Sequence, residues 1–474
     1  MSPPAASRTL TATELTRRSL PLQDQLYERV RSAIAAGRIN PGERLPASRT
    51  LASELGIARG TVEAAYARLA GEGYLLARGA GGTIVSPMLR LDTLPPRRGR
   101  ARAPTYVERV RIRGPLPFQM GLPALDMFPR PLWARLTARA ARRLTGAALA
   151  YPDPAGLPRL REAIASYLAV SRGVLCEPEQ VVITGGYQTA ISMLARKLLG
   201  PSDTVWLEDP GYFLARQALQ AVSRRVMPVP VDGDGICVDL AVARAPGARV
   251  AVVTPAHQSP LGVALALNRR QKLLAWAAAS AAWIIEDDYD GEFHYVGRKL
   301  PALKSLDTAD RVIYAGSFSK TLFPSLRLGY IVVPTSLVRN VIDTMCATHH
   351  GMQALGQMVA ADFIAEGHFA RHLKRMRGLY AARREALASA LVETFGNRIK
   401  LVLQPGGMHL IVRFCDRIVD TELVRRSLAH RLAPTALSTH YIGRMRDHGL
   451  LLSFTNIPEA QAVRHAKALL QAVA

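Results

Sequence analysis

In the run Gly316-Ser317-Phe318-Ser319-Lys320-Thr321-Leu322-Phe323-Pro324-Ser325-Leu326-Arg327-Leu328-Gly329, a lysine follows two serines and precedes an arginine by seven residues. An amine condenses with an aldehyde and releases water. Hydroxyls and a guanidinium hold a phosphate, the guanidinium by a two-pronged fork. Together these groups suit pyridoxal phosphate: its aldehyde would take Lys320, and its phosphate would take Ser317, Ser319 and Arg327. Desolvation and nearby cations lower a lysine's pKa and free the lone pair this capture needs.

Two further stretches fit the same ligand. Thr184-Gly185-Gly186-Tyr187-Gln188 follows a strand-like run and opens a helical one. The free N–H groups of a helix start favour phosphate, and glycines allow close approach, so Gly186, Tyr187 and Gln188 are candidate contacts. Glu286-Asp287-Asp288-Tyr289-Asp290 ends an apolar run. A carboxylate beside a pyridine nitrogen keeps it protonated. That anchors the ring and makes it an electron sink. A solvated strand end or a metal site is the other reading of this acidic run; the lack of a His or Cys nearby weighs against it.

The elements that must position these groups follow from periodicity. Apolar residues at four-residue spacing (Leu22, Leu26, Val30, Ile34) predict a helix to about Ala36, capped by Gly37. Pro46-Ala47-Ser48 opens a second helix that ends at the Gly56 turn, with Leu51, Ala52 and Leu55 inward. A third starts near Ala58, carries Val62, Ala65, Tyr66 and Leu69, and closes at Gly73. Tyr74–Leu76 and Thr83–Val85 bracket a glycine turn, the pattern of a two-stranded wing. Prolines and arginines then alternate over 87–117 (Arg90, Arg97, Arg98, Arg100, Arg102, Arg109, Arg111, Arg113). This is an extended basic linker, partly stiff. Its arginines either touch DNA phosphates or simply keep a spacer solvated. From Phe118 onward, helices alternate with short apolar strands at Val181–Thr184, Thr204–Leu207, Val250–Thr254, Trp283–Glu286, Val312–Ala315 and Tyr330–Val333. That predicts an α/β, mostly parallel sheet with helices on both faces. Strands near 401–403, 408–414 and 450–454, after a long helix from Leu373, predict a smaller α+β segment at the C-terminal end. The expected layout is a disordered tail over 1–18, a winged helix over 19–86, the linker over 87–117 and the cofactor-binding part over 118–474.

The chain has 474 residues and a formal net charge of +24. Residues 1–117 contain 19 Arg, no Lys and 9 acids, so +10 falls in a quarter of the chain. That excess favours a polyanionic partner, nucleic acid above all. The four cysteines, Cys176, Cys237, Cys346 and Cys415, are scattered and suit a reducing cytosol. The longest apolar run, Leu273 to Ile285, is too short to span a bilayer and reads as a buried helix leading into a strand.

Gly42-Glu43-Arg44-Leu45-Pro46-Ala47-Ser48-Arg49, Gly60-Thr61-Val62, Leu69, Glu72-Gly73-Tyr74 and Gly81-Gly82-Thr83 resemble the winged helix-turn-helix of the GntR family. The resemblance implies that Arg59 and Thr61 open a recognition helix in the major groove, where Arg59 could fork a guanine edge. Arg49 and Thr61 would hold phosphates. Arg78 with Gly79 would bring the wing near the minor groove. Such domains work in pairs, so a homodimer on repeated half-sites of double-stranded DNA is expected.

The remainder resembles the fold-type I aminotransferases, dependent on pyridoxal 5′-phosphate. The resemblance implies that Tyr212, in Glu208-Asp209-Pro210-Gly211-Tyr212, stacks on the pyridine ring, that Asp287 meets its nitrogen, and that Tyr289 bonds its 3′-oxygen. Lys320 supplies the Schiff base. Tyr151, in Tyr151-Pro152-Asp153-Pro154-Ala155-Gly156, would reach the partner subunit's phosphate. In Thr254-Pro255-Ala256-His257-Gln258-Ser259-Pro260-Leu261-Gly262, Ser259 stands where these enzymes carry an asparagine, and Ser259 or His257 would replace it. Leu451 stands near the place of the arginine that binds a substrate carboxylate; Arg216, Arg413 and Arg444 are candidate replacements. The combination resembles the MocR/GabR subfamily of GntR regulators. It implies a cytoplasmic transcription factor whose aminotransferase-like domain senses the cofactor, alone or with an amine or amino acid. A working transaminase with an accessory DNA domain is the alternative.

Overall fold

The structure, a computed structural model, describes residues 10, 21–89, 114–297, 300–348, 351–416, 418–443 and 447–473. The expected 1–18 tail (Leu10 apart), the linker arginines Arg90 to Arg113 and the candidate Arg444 lie outside the described residues. The described residues fall into two compact units, one within 1–112 and one within 113–474.

The first unit contains helices α1 (Leu22–Ala35), α2 (Ser48–Leu55) and α3 (Arg59–Gly71), then strands β1 (Leu75–Ala77) and β2 (Thr83–Val85). The four-residue spacing of α1 buries Leu26, Val30 and Ile34 along one stripe. Leu51, Ala52, Val62, Ala65, Tyr66 and Leu69 close the core against it. The turn between α2 and α3 needs a left-handed residue; Gly56, at φ 63°, supplies it without a Cβ clash. The wing pairs Leu75 with Val85 and Ala77 with Thr83, antiparallel.

The second unit is built on an eight-stranded sheet. Its strands are β3 (Val181–Thr184), β4 (Thr204–Asp209), β5 (Arg225–Asp232), β6 (Gly235–Ile236), β7 (Val250–Val253), β8 (Trp283–Asp288), β9 (Val312–Ser317) and β10 (Gly329–Val332). Their order is β3-β10-β9-β8-β7-β4-β5-β6. Strands β5, β4, β7, β8 and β9 run parallel, whereas β10 is antiparallel to both neighbours. Every residue of β3, β7, β8 and β10 is buried, as expected of strands covered on both faces. Helix Tyr187–Leu198 belongs to the core on one side, and helices Pro158–Arg172 and Ala354–Ala365 to the core on the other. Strand β5 was not expected from the sequence, because Pro228 and Pro230 interrupt its apolar pattern. It lies next to the short β6 at the sheet edge, where a missing N–H is tolerated. A second, antiparallel sheet has the order β11-β12-β14-β13, with β11 (Ile399–Val402), β12 (His409–Phe414), β13 (Thr435–Ala436) and β14 (Leu450–Ser453). The 28-residue helix His368–Phe395 and the helix Ala462–Val473 pack together beside it.

Candidate cofactor pocket and DNA-reading face

Lys320 sits on a single helical turn, Phe318–Thr321, just past the end of β9. Ser317 caps that turn by accepting the Ser319 N–H at 3.2 Å. The buried Phe318 anchors it and leaves the lysine to point elsewhere. Lys320 Nζ donates to the Gly121 carbonyl at 2.9 Å. A Cβ on Gly121 would lie 2.6 Å from that same nitrogen, and Gly121 has φ +83°. Gly121 is a site residue that sequence reasoning missed: it is 199 positions away, and an isolated glycine carries no local signal. Burial lowers the Lys320 pKa; the carboxylates of Asp287 and Asp290 act against it.

Strand β8 delivers Asp287 to the same pocket. Burial holds its carboxyl well above the usual range, with the charges of Asp288 and Asp290 adding to the effect. The Tyr187 hydroxyl faces Asp287 and favours its anion. Tyr289 Oη is buried with no hydrogen-bond partner among the described residues, and Ser259 is the neighbour that favours its ionised form. His257 instead bonds Asp290 through Nδ1 at 3.0 Å and stacks on His294. Behind Ser259, Glu208 accepts from Thr254 Oγ1 at 2.5 Å and Gln258 Nε2 at 3.2 Å.

Two buried carboxyls near this layer make the stability pH-dependent. Glu208 and Glu286 are each pushed up to about 7, first by burial. An ordinary glutamate, at 4.5, releases its proton earlier in the unfolded chain than these do in the folded one. The folded state therefore binds more protons between those values, and stability falls as pH rises through about 7. The effect is on the order of 3 kcal/mol for each group. We expect the cofactor-free protein to melt lower at about pH 8 than at about pH 5, and Glu286→Gln to flatten that slope. Calorimetry across pH checks it; an unchanged slope in the variant would refute the assignment.

The phosphate candidates converge from three segments. Gly186, at φ 102°, is the N-cap of helix Tyr187–Leu198 directly after β3. A Cβ there would come within 4.0 Å of Arg327 Nη1. A Cβ on Gly329 would lie 2.9 Å from Gly186 Cα, so the two glycines let the β10 start and the helix start touch. Arg327 is exposed, has φ 52°, and forms no ion pair among the described residues. Ser317 and Ser319 stand at the capped turn described above, and Gln188 lies half-buried in the first helical turn. Tyr212 follows β4, with its ring centroid 6.1 Å from that of Tyr187. Its loop is held to the small sheet's side: Asp209 accepts the N–H groups of Ile442 and Gly443 at 2.7 and 3.0 Å. Tyr151 is 89% exposed and is not brought into this cluster.

In the first unit, Arg59 and Thr61 occupy the opening turn of α3, and Arg49 the second position of α2. Arg49, Arg59, Arg78 and Gly79 are exposed, and Thr61 is half-buried. Arg78 N–H donates to Gly82 across the wing tip at 2.8 Å. The Arg44 guanidinium packs so close to Gly82 that a Cβ there would meet it at 2.8 Å.

Residues 22–85 match the model of bacterial regulatory proteins, gntR family, and residues 128–446 match aminotransferase class I and II. A probable rhizopine catabolism regulatory protein, MocR, of Rhizobium meliloti is 38% identical over 92% of this chain and 91% of its own length. The chain belongs to the MocR-type transcriptional regulators of the GntR family. The pyridoxine biosynthesis regulator PdxR of Corynebacterium glutamicum is 36% identical over 91% of each chain. Among solved structures, a kynurenine aminotransferase of Pyrococcus horikoshii, crystallised with PMP, covers 81% of this chain and 96% of its own, with 26% identity and a TM-score of 0.70. The α-aminoadipate aminotransferase LysN of Thermus thermophilus, complexed with N-(5′-phosphopyridoxyl)-L-leucine, covers 79% of this chain and 95% of its own, with 27% identity and a TM-score of 0.71. The chain is thus a DNA-binding regulator that joins a winged helix to an aminotransferase-like fold.

The family resemblance sharpens what is unusual about β14. Leu451 is fully buried there, in a cluster with Ile411 and Leu437. Of the arginines considered as replacements, Arg413 is paired with Asp447 through Nε at 2.8 Å and Nη2 at 2.6 Å. Arg216 donates to the Tyr441 carbonyl at 3.2 Å. Arg413 is thus neutralised by its carboxylate partner, whereas Arg216 meets only a neutral carbonyl and keeps its charge for an anion.

Proposed function

We propose that this protein regulates transcription in response to pyridoxal 5′-phosphate held by its larger unit. The observation that carries the reading is Lys320: a recessed amine with a lowered pKa, tied to Gly121 and flanked by Asp287 and Asp290. The pocket fits the group on its own evidence. Tyr289 Oη is a buried hydroxyl awaiting a partner, and Asp287 is a buried acid that a neighbouring pyridinium would ionise. When bound, the cofactor supplies an aldehyde for the lysine and an electron-withdrawing ring. Lys320 would hold it covalently. Ser317, Ser319, Gly186, Tyr187, Gln188 and Arg327 would bind its phosphate, Tyr212 would cover the ring, and Tyr289 with Ser259 or His257 would bond the 3′-oxygen.

The protein would act in the cytoplasm as a homodimer, with Tyr151 reaching the partner's phosphate. Occupation of the pocket would alter the spacing of the two winged domains and so their affinity for paired half-sites, a geometric quantity. The buried Leu451 favours the cofactor itself, or an amine without a carboxylate, as effector. A gel-shift titration on the chain's own upstream region, with and without pyridoxal phosphate at one fixed salt concentration, tests the reading. A midpoint that moves with cofactor supports it; identical midpoints reject it. Sustained turnover of an amino acid with a keto-acid acceptor would favour the transaminase alternative.

A further inference from the structure

The recognition helix carries an arginine whose direction is set by a neighbour. Arg59 donates its Nε–H to Glu63 Oε1 at 2.7 Å, and the same oxygen accepts Ser48 Oγ from the start of α2 at 3.3 Å. One carboxylate thus ties the first residue of α3 to the first residue of α2. The Arg59 and Glu63 side chains are 57% and 48% exposed, so the contact faces solvent. An exposed pair of this kind adds little stability. Its consequence is geometric. With Nε occupied, Arg59 has only the Nη1 and Nη2 end of its guanidinium to offer, and that end forks the O6 and N7 acceptors of guanine. A free arginine at a helix start would instead settle on the nearest phosphate, which carries no sequence information.

We propose that Glu63 is a specificity-positioning residue: it holds Arg59 end-on, so that the protein demands guanine at one fixed place in each half-site. The proposal rests on the DNA-binding reading of the winged unit. Glu63 itself does not contact the base. It removes one degree of freedom from the side chain that does, and Ser48 keeps the carboxylate from rotating away with α3 alone.

The test uses the full-length protein and selection from a randomised duplex library at one salt concentration, for wild type, Arg59→Ala, Glu63→Ala and Glu63→Gln. Wild type is expected to enrich guanine at one position per half-site, and Arg59→Ala to lose it. Glu63→Ala should reduce that preference about tenfold at the same position, within the range of one bidentate contact. Its affinity for unrelated DNA should hold or rise, because a negative charge is removed. Glu63→Gln, which keeps an acceptor oxygen, should retain most of the preference. An unaltered Glu63→Ala profile overturns the proposal. So does a loss at a position that Arg59→Ala leaves intact, since Glu63 would then be reading a cytosine amino group itself. If wild type enriches no sequence while remaining folded, the DNA-reading premise fails, and the proposal with it.

Discussion

Lys320→Ala is expected to abolish the visible absorbance of lysine-bound cofactor and to make DNA affinity indifferent to pyridoxal phosphate. The fold should survive. Lys320 is recessed rather than packed in the apolar core, and among the described residues its side chain bonds only the Gly121 carbonyl. Truncation removes a group whose burial already disfavours its charge, so little native stability is lost with it. The phosphate contacts remain, and the cofactor can still enter. What goes is covalent retention, and we expect its affinity to fall at least ~100-fold, equivalent to ~3 kcal/mol. Absorbance titration reads the first effect and a gel shift reads the second. A variant that still shifts its midpoint with cofactor would detach sensing from the lysine.

Gly121→Ala is expected to reach the same endpoint by displacement. The added methyl would lie 2.6 Å from Lys320 Nζ, and nothing else crowds it except Lys320 Cε at 3.8 Å. The clash is relieved by moving the tip of a flexible side chain, so the strain on the rest of the fold is small. The tip that moves is the reactive amine. Alanine at φ +83° adds a left-handed backbone cost of roughly 1–2 kcal/mol. Cofactor affinity should drop about tenfold or more, or ~1.4 kcal/mol, while the winged unit still binds DNA. A melting curve with a modest shift, alongside weakened cofactor uptake, is the expected pair of results. Normal uptake would show that the amine does not need its present position.

Much of this architecture is legible locally. Val181–Thr184 is found at the predicted residues because a short apolar run bounded by turn residues is what a doubly covered strand looks like. The wing and α1 are likewise local. Three features are not. β5 hides behind Pro228 and Pro230, tolerated there because the short β6 pairs only with Val231 and Asp232 beyond them. β10 runs antiparallel because the link over 318–328 is taken up by the Lys320 turn and returns the chain directly; apolar patterning has no sense of direction. β13 is only two residues long, too short for any period to register. The site divides in the same way. Lys320, Asp287 and Arg327 announce themselves by neighbours in sequence. Gly121, the Tyr187–Asp287 juxtaposition and the pairing of His257 with Asp290 exist only once distant segments meet.

The apolar cluster of the winged unit runs from Leu26 through Leu69 to Val85, and the larger unit contributes no residue to it. Each half therefore encloses its own oil drop, and among the described residues no methyl group serves both. A lineage could exchange one such reader for another, with a different operator, and leave the aminotransferase-like half unrepacked.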